Sequence, residues 1–128
     1  MAEKKKILLV DDDPDFVEAV KVIVESGGYE VRVAYDGKEG LEAVEEEKPD
    51  LIVLDVMMPV MNGHEACARL KGNKETAKIP IILLTAVADR VTTSTYTHRD
   101  MLESEAEDYM PKPVEPAELL ELIKSWLK

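Results

Sequence analysis

A few residues in this chain are of types and in places where chemistry can be done. They are the paired aspartates Asp11 and Asp12, one aspartate, Asp55, close to the end of the apolar run DLIVLDVMMP, a hydroxyl at Thr85 and an ammonium at Lys112. A carboxylate at the end of an apolar run needs a reason, because burying an unpaired charge is costly. Three carboxylates held close together repel one another, and a hard divalent cation such as Mg²⁺ relieves that repulsion. Mg²⁺ keeps several waters and takes only one or two carboxylates directly, which leaves room for a phosphoryl oxygen. In that setting Asp55 can attack a phosphoryl group to give an acyl phosphate, while the cation and the Lys112 ammonium neutralise developing charge. The Thr85 hydroxyl can donate a hydrogen bond to a phosphoryl oxygen. Each residue alone has an ordinary explanation: Asp-Asp-Asp-Pro caps helices well, a threonine can end a strand, and a lysine can simply be solvated. Their joint meaning depends on whether the fold brings them together.

The elements that must position them alternate. Ile7 to Val10 is an apolar run short enough for a buried strand, stopped by Asp11, Asp12, Asp13 and Pro14. Asp13 can cap a helix with Pro14 in its first turn; Phe16, Val17, Val20, Val22, Ile23 and Val24 give it a broad apolar face, and Gly27-Gly28 ends it. Tyr29 to Ala34 reads as a more exposed strand with Val31 and Val33 alternating against Glu30 and Arg32, and Asp36-Gly37 marks a turn. Lys38 to Lys48 reads as a helix with Leu41, Ala43 and Val44 inward and the acidic run Glu45 to Glu47 on a solvated face, stopped by Pro49. Leu51 to Leu54 is a third strand covered on both faces, Asn62-Gly63 a turn, and His64 to Lys71 a helix using Ala66, Cys67 and Leu70. Pro80 to Leu84 supplies a fourth strand and Asp108 to Met110 a short fifth. A last helix begins at Pro116, with Leu119, Leu120, Leu122, Ile123, Trp126 and Leu127 at helical spacing and Trp126 read as packing.

Strands alternating with helices imply parallel pairing through right-handed crossovers, and sites in such sheets gather at the carboxyl ends of the strands. Asp11 and Asp12 follow the first strand, Asp55 the third, Thr85 the fourth and Lys112 the fifth. If those strands are neighbours, all five residues face one pocket, and four independent coincidences at one sheet edge favour a phosphate-accepting switch.

Composition narrows the classes further. The chain has 128 residues, a length suited to one domain, and 34% charged with 45% hydrophobic residues describes a globular sequence. No run is apolar for long enough to cross a bilayer, and the start lacks the longer apolar core of a secretory leader, so a cytoplasmic location is expected. A formal net charge of −11 opposes direct binding to nucleic acid or to an anionic membrane surface. The only basic cluster, Lys4 to Lys6, reads as part of a solvated tail, with residues 1–5 expected to be flexible. One cysteine, Cys67, and two histidines exclude an internal disulfide and a zinc pattern of Cys and His.

With ILLVDDDP, PDLIVLDVMMPVMNG, IPIILLTA and DYMPKP in place, the sequence resembles the receiver domains of two-component response regulators over essentially its whole length. The resemblance implies a flavodoxin-like doubly wound (βα)5 sandwich, a five-stranded parallel sheet of order 2-1-3-4-5 with helices on both faces. It also implies a single domain over 1–128 without an output domain, signalling by self-phosphorylation and self-dephosphorylation and not by enzymatic turnover. Residue by residue, it makes Asp55 the phosphoacceptor, Asp12 a direct Mg²⁺ ligand, Asp11 a partner through metal-bound water and Met57 a ligand through its backbone carbonyl. Thr85 and Lys112 take the places of the switch hydroxyl and the phosphate-binding lysine, and the Lys112-Pro113 bond is expected to be cis. Tyr109 takes the place of an aromatic residue whose ring moves inward as the threonine hydroxyl is drawn to the phosphoryl group. The implied partners are a sensor histidine kinase or histidine phosphotransfer protein and a downstream effector protein or a missing output domain, the chain being either a stand-alone receiver or a piece of a larger regulator. They would read the surface made by the fourth helix, fifth strand and fifth helix.

The chain departs from the family pattern in places. VTTSTYTHRD, from Val91 to Asp100, is a weak helix former where a fourth helix is expected, and Glu105 stands where a glycine commonly precedes Ala106. Met57 and Val87, two residues after Asp55 and Thr85, flank the path of the attacking water in the family, and apolar side chains there imply slow or moderate self-dephosphorylation. Two other classes compete. A haloacid-dehalogenase-type phosphohydrolase needs an aspartate two residues after its nucleophile, where this chain has Met57. A degenerate receiver acting as a constitutive interaction module has no need of all five of Asp11, Asp12, Asp55, Thr85 and Lys112.

Overall fold

The structure, a computed structural model, describes residues 4–56, 63–86, 106–112 and 114–127, with Ala86 and Lys112 described by their backbone. Met57, Val87, Pro113 and the expected weak helix around Val91 to Asp100 lie outside the described residues.

Strands and helices alternate as β1 (Lys6–Val10), α1 (Pro14–Ser26), β2 (Glu30–Ala34), α2 (Gly37–Glu46), β3 (Leu51–Asp55), α3 (Gly63–Lys71), β4 (Ile81–Ala86), β5 (Asp108–Lys112) and α4 (Pro116–Trp126). The C-terminal helix α4 occupies the place of the fifth helix in the expected plan. All strand pairs are parallel and the sheet runs β2-β1-β3-β4-β5, the expected order.

Local chemistry explains where the elements begin. The Asp13 carboxylate accepts the N–H groups of Asp15 and Phe16 at 3.1 and 3.4 Å, and Pro14 in the first turn has no N–H to satisfy. Gly27 caps the other end of α1, and Gly28, at φ 95, supplies the left-handed backbone that turns the chain into β2. Asp36 is the N-cap of α2 where the sequence suggested only a turn. Its side chain accepts Glu39 N–H at 2.8 Å while Glu39 reaches back to Tyr35 N–H at 3.0 Å, a reciprocal cap that starts the helix one residue earlier than expected.

Strand alternation divides the core in two. Leu8, Val10, Ile52, Leu54, Ile81 and Leu83 pack under α2 and α3 with Val44, Ala66, Cys67 and Leu70. Ile7, Leu9, Leu51, Val53, Ile82 and Leu84 pack under α1 and α4 with Val17, Val20, Val24, Leu119 and Ile123. β1, β3 and β4 are therefore apolar on both faces, whereas edge strand β2 is partly exposed, as its sequence predicted. On α1, Val22 falls outside the buried stripe of Val17, Val20 and Val24 and is 58% exposed, so the inward face is narrower than expected. Trp126 is half-exposed, and its indole N–H donates to Asp108 Oδ2 at 3.1 Å, which ties α4 to β5.

The acidic run Glu45 to Glu47 is more than a solvated face. Glu46 pairs with Arg32, and Glu47 accepts a 2.5 Å hydrogen bond from Lys6, which holds its carboxyl below the usual range. Both pairs are exposed. Whatever the Glu47 pair contributes is present at neutral pH and is lost as pH falls through the lowered folded-state pKa.

A buried pair fixes the opposite end of the sheet from the strands' carboxyl ends. Lys71 Nζ, with its side chain only 5% exposed, donates to the carbonyls of Ala77 and Ile79 at 3.0 and 2.8 Å and to Glu107 Oε2 at 2.6 Å. Glu107 Oε1 accepts Ile81 N–H at 2.8 Å, and Glu107 N–H donates to Ile81 O at 3.0 Å. The pair thus joins the end of α3, the turn after it, and the starts of β4 and β5. Lys71→Met should lower unfolding stability by roughly 3 kcal/mol, the low end for breaking a buried pair because Glu107 keeps some solvent contact. Urea denaturation checks this, and a loss below about 1 kcal/mol, the level of an exposed pair, would contradict it.

Candidate functional site

The register of the central strands determines what meets at the carboxyl edge. Val10 pairs with Leu54 and Asp55 with Leu84, so the residues at the ends of β1, β3 and β4 lie side by side. This edge is the topological switch point, where the chain leaves β1 for β2 on one side and β3 lies on the other. Asp55 closes β3, Thr85 is the penultimate residue of β4, and Lys112 closes β5. The sequence had placed these three just beyond their strands. The ladder runs further because its hydrogen bonds continue there, for example from Val56 N–H to Leu84 O at 3.0 Å.

Asp11, Asp12 and Asp55 each offer a carboxylate oxygen within 4.8 Å of the others. Asp11 is 0% and Asp55 3% exposed, whereas Asp12 is exposed. Asp11 is held by the turn it begins: its N–H donates to Ala34 O at 3.1 Å and its Oδ1 accepts Asp13 N–H at 3.0 Å. Thr85 is also 3% exposed, and its hydroxyl has no hydrogen-bond partner among the described residues. A buried hydroxyl left in that state costs free energy unless another oxygen arrives to accept its hydrogen bond.

Thr85 pairs with Pro111 and Ala86 with Lys112, so the backbone of Lys112 reaches the same edge; its side chain lies outside the described residues. Tyr109 pairs with Leu83, two positions before Thr85 on the same side of the pleat, and packs against the α2/α3 half of the core. Thr85 and Tyr109 are therefore diagonal neighbours on adjacent strands. Of the sequence-predicted site residues, Asp11, Asp12, Asp55, Thr85 and the Lys112 backbone come together, and Tyr109 lies beside Thr85. Met57, Val87 and the Lys112-Pro113 bond lie outside the described residues. One neighbour of the site went unnoticed: Gly63, read only as part of a turn, lies directly against the backbone of Asp55.

The donor set fits a hard divalent cation, with three carboxylates of which two are buried at the end of an apolar sheet. Fold and site together define a doubly wound parallel α/β domain with an acidic pocket at its switch point. The model of the response regulator receiver domain matches residues 7–124, and the chain belongs to that family. It is 38% identical over 98% of its length to the DNA-binding response regulator MtrA of Mycolicibacterium smegmatis, matching 51% of that protein. It is 42% identical over 97% of its length to the alkaline phosphatase synthesis transcriptional regulatory protein PhoP of Bacillus subtilis, matching 49% of it. The chain thus spans about half the length of these curated relatives. Among solved structures, the signal receiver domain of a signal transduction histidine kinase from Syntrophus aciditrophicus superposes with a TM-score of 0.88 at 35% identity, covering 96% of this chain and 89% of that one. The receiver domain of sensor histidine kinase PA1611 from Pseudomonas aeruginosa, with a magnesium ion coordinated in its active-site cleft, gives a TM-score of 0.85 at 27% identity, with 98% of each chain covered.

Packing the carboxylates together costs stability when no cation is bound. Unit charges at this separation repel by a few kcal/mol per pair at an effective dielectric near 20, and solvent at Asp12 reduces this. Asp55→Asn should therefore stabilise the metal-free protein by about 1–2 kcal/mol, as polar sites built for function often cost stability. Urea denaturation in chelator checks this; a variant no more stable than wild type would contradict it.

Proposed function

We propose that this receiver domain accepts a phosphoryl group on Asp55 from a phosphohistidine of a sensor kinase or phosphotransfer protein and changes its partner-binding surface in response. The observation that carries the reading is the convergence of Asp11, Asp12 and Asp55 within 4.8 Å at the switch point, beside the buried Thr85 hydroxyl, which has no partner among the described residues.

Asp55, fixed at the end of a strand paired on both sides, presents a carboxylate oxygen to phosphorus. As that bond forms, the bond from phosphorus to the donor nitrogen breaks and its electron pair leaves with the nitrogen. Asp11, Asp12 and Asp55 would hold Mg²⁺, with the Met57 carbonyl as a further ligand; when bound, the ion supplies charge neutralisation at the phosphoryl oxygens. Lys112, from the end of β5, supplies a second positive charge. Thr85 donates its hydroxyl hydrogen to a phosphoryl oxygen and thereby gains the partner it lacks among the described residues. Its movement opens space for Tyr109 on the same side of the sheet. Asp108, adjacent to Tyr109, holds the Trp126 indole, so a change at Tyr109 is passed to α4.

Output through protein contact fits the charge. At −11 the domain itself is poorly suited to a phosphate backbone, and the DNA binding named for the MtrA relative would belong to a different part of a longer protein.

Incubation with acetyl phosphate and Mg²⁺, followed by intact-protein mass spectrometry, should add one phosphoryl group to wild type and none to Asp55→Asn. An unmodified wild-type protein, or a modified Asn variant, would sink the assignment. Following decay of the modified form tests the water path: Met57→Asn should shorten the phosphoryl lifetime severalfold, because an amide can hydrogen-bond the attacking water where a thioether does so only weakly. An unchanged lifetime counts against a role for Met57.

A further inference from the structure

We infer that Gly63 is a positioning residue for the phosphoacceptor, on the reading that Asp55 is the nucleophile. A Cβ at position 63 would lie 2.3 Å from Asp55 O, 2.8 Å from Val56 Cα and 2.9 Å from Asp55 C. All three are backbone atoms of the residues that carry and follow the proposed nucleophile. The other crowded glycines meet backbone less closely: Gly40 meets the Val10 side chain, Gly27 meets first the Leu120 side chain, and Gly72 comes no nearer to backbone than 3.2 Å, at Ala68 O. Nor is conformational freedom the reason, since Gly28 alone among the described glycines has a positive φ. What position 63 requires is space.

The strand cannot give way. Leu54 is paired with Val10 of β1, Asp55 with Leu84 of β4, and Val56 N–H donates to Leu84 O at 3.0 Å. Gly63 N–H in turn donates to Val56 O at 2.9 Å, so the first turn of α3 is bonded to the chain just after the nucleophile. This contact joins the two ends of the 57–62 segment, which includes Met57. A methyl group would push α3 and the main chain of Asp55 apart by roughly 1 Å, a misplacement large enough to cost on the order of 100-fold in rate at a reacting centre.

The test compares Gly63→Ala with Ala66→Gly, which weakens the same helix without adding a Cβ against the Asp55 backbone. Both are followed by circular dichroism, by Mg²⁺ titration monitored with ¹H–¹⁵N NMR, and by the rate of phosphorylation with acetyl phosphate. The expected result is a folded Gly63→Ala protein with Mg²⁺ affinity and phosphorylation rate each reduced at least tenfold, while Ala66→Gly stays within about twofold of wild type. Gly63→Ala rates and affinities equal to wild type would overturn the inference, and so would equal losses in both variants. A wild type that neither binds Mg²⁺ nor accepts phosphate would instead overturn the reading of Asp55. Linkage supplies a second measurement on unaltered protein: if the contact strengthens metal binding, metal binding must strengthen the contact. Saturating Mg²⁺ should slow hydrogen exchange at the Gly63 amide and leave the Gly72 amide, bonded to Ala68 O, unaffected. An unchanged Gly63 exchange rate overturns the inference even if the alanine variant does not fold.

Discussion

Two buried carboxylates at the ends of adjacent central strands are the constraint on which the rest of this structure depends. Asp11 and Asp55 are withdrawn from water at the point where the chain order reverses, with Asp12 beside them at the surface. Such an arrangement is unfavourable in itself and persists only because the surroundings enforce it. The enforcement comes from apolar packing on both faces of β1, β3 and β4, from the turn that ties Asp11 to Asp13 and Ala34, and from α3 pressed against Asp55.

The two ends of the sheet are built on opposite principles. At the amino edge, Lys71 and Glu107 satisfy one another and three backbone groups besides, so β4 and β5 start from a fixed point. At the carboxyl edge, charges crowd together and the Thr85 hydroxyl finds no partner among the described residues. Stability is concentrated where no chemistry is proposed, and crowded charge where it is. A sheet anchored at one end can respond at the other without losing its fold, and β4, carrying Thr85, and β5, carrying Tyr109 and Lys112, run from the anchored end to the site.

Much of this was legible in the sequence because it depends on short-range pattern. Continuous apolar runs marked β1, β3 and β4, and alternation with helices implied parallel pairing; the strand order, on which the meeting of Asp11, Asp55 and Thr85 depends, was implied by the resemblance to receiver domains. Features set by tertiary contact were not legible. Lys71 and Glu107 are 36 residues apart, and neither differs in the sequence from a solvated surface charge. Asp36-Gly37 has the composition of a turn, and only the reciprocal bonds with Glu39 and Tyr35 make it a helix start. Gly63 followed an asparagine and so resembled an ordinary turn glycine, whereas its reason is the strand lying against it. Val22 counted toward an apolar face in sequence, but the face that packs is narrower than the run of valines suggested.

The central claim is that Asp55 and its neighbours form a switch that responds to phosphoryl charge. Beryllofluoride with Mg²⁺ mimics a phosphoryl group on an aspartate, and ¹H–¹⁵N NMR reads the response at each amide and at the Trp126 indole. In wild type, shifts should appear at Asp11, Asp55 and Thr85 and extend through Tyr109 to the Trp126 indole, with none of these in Asp55→Asn. A wild-type spectrum indifferent to the mixture, or the same changes in the Asn variant, would contradict the account.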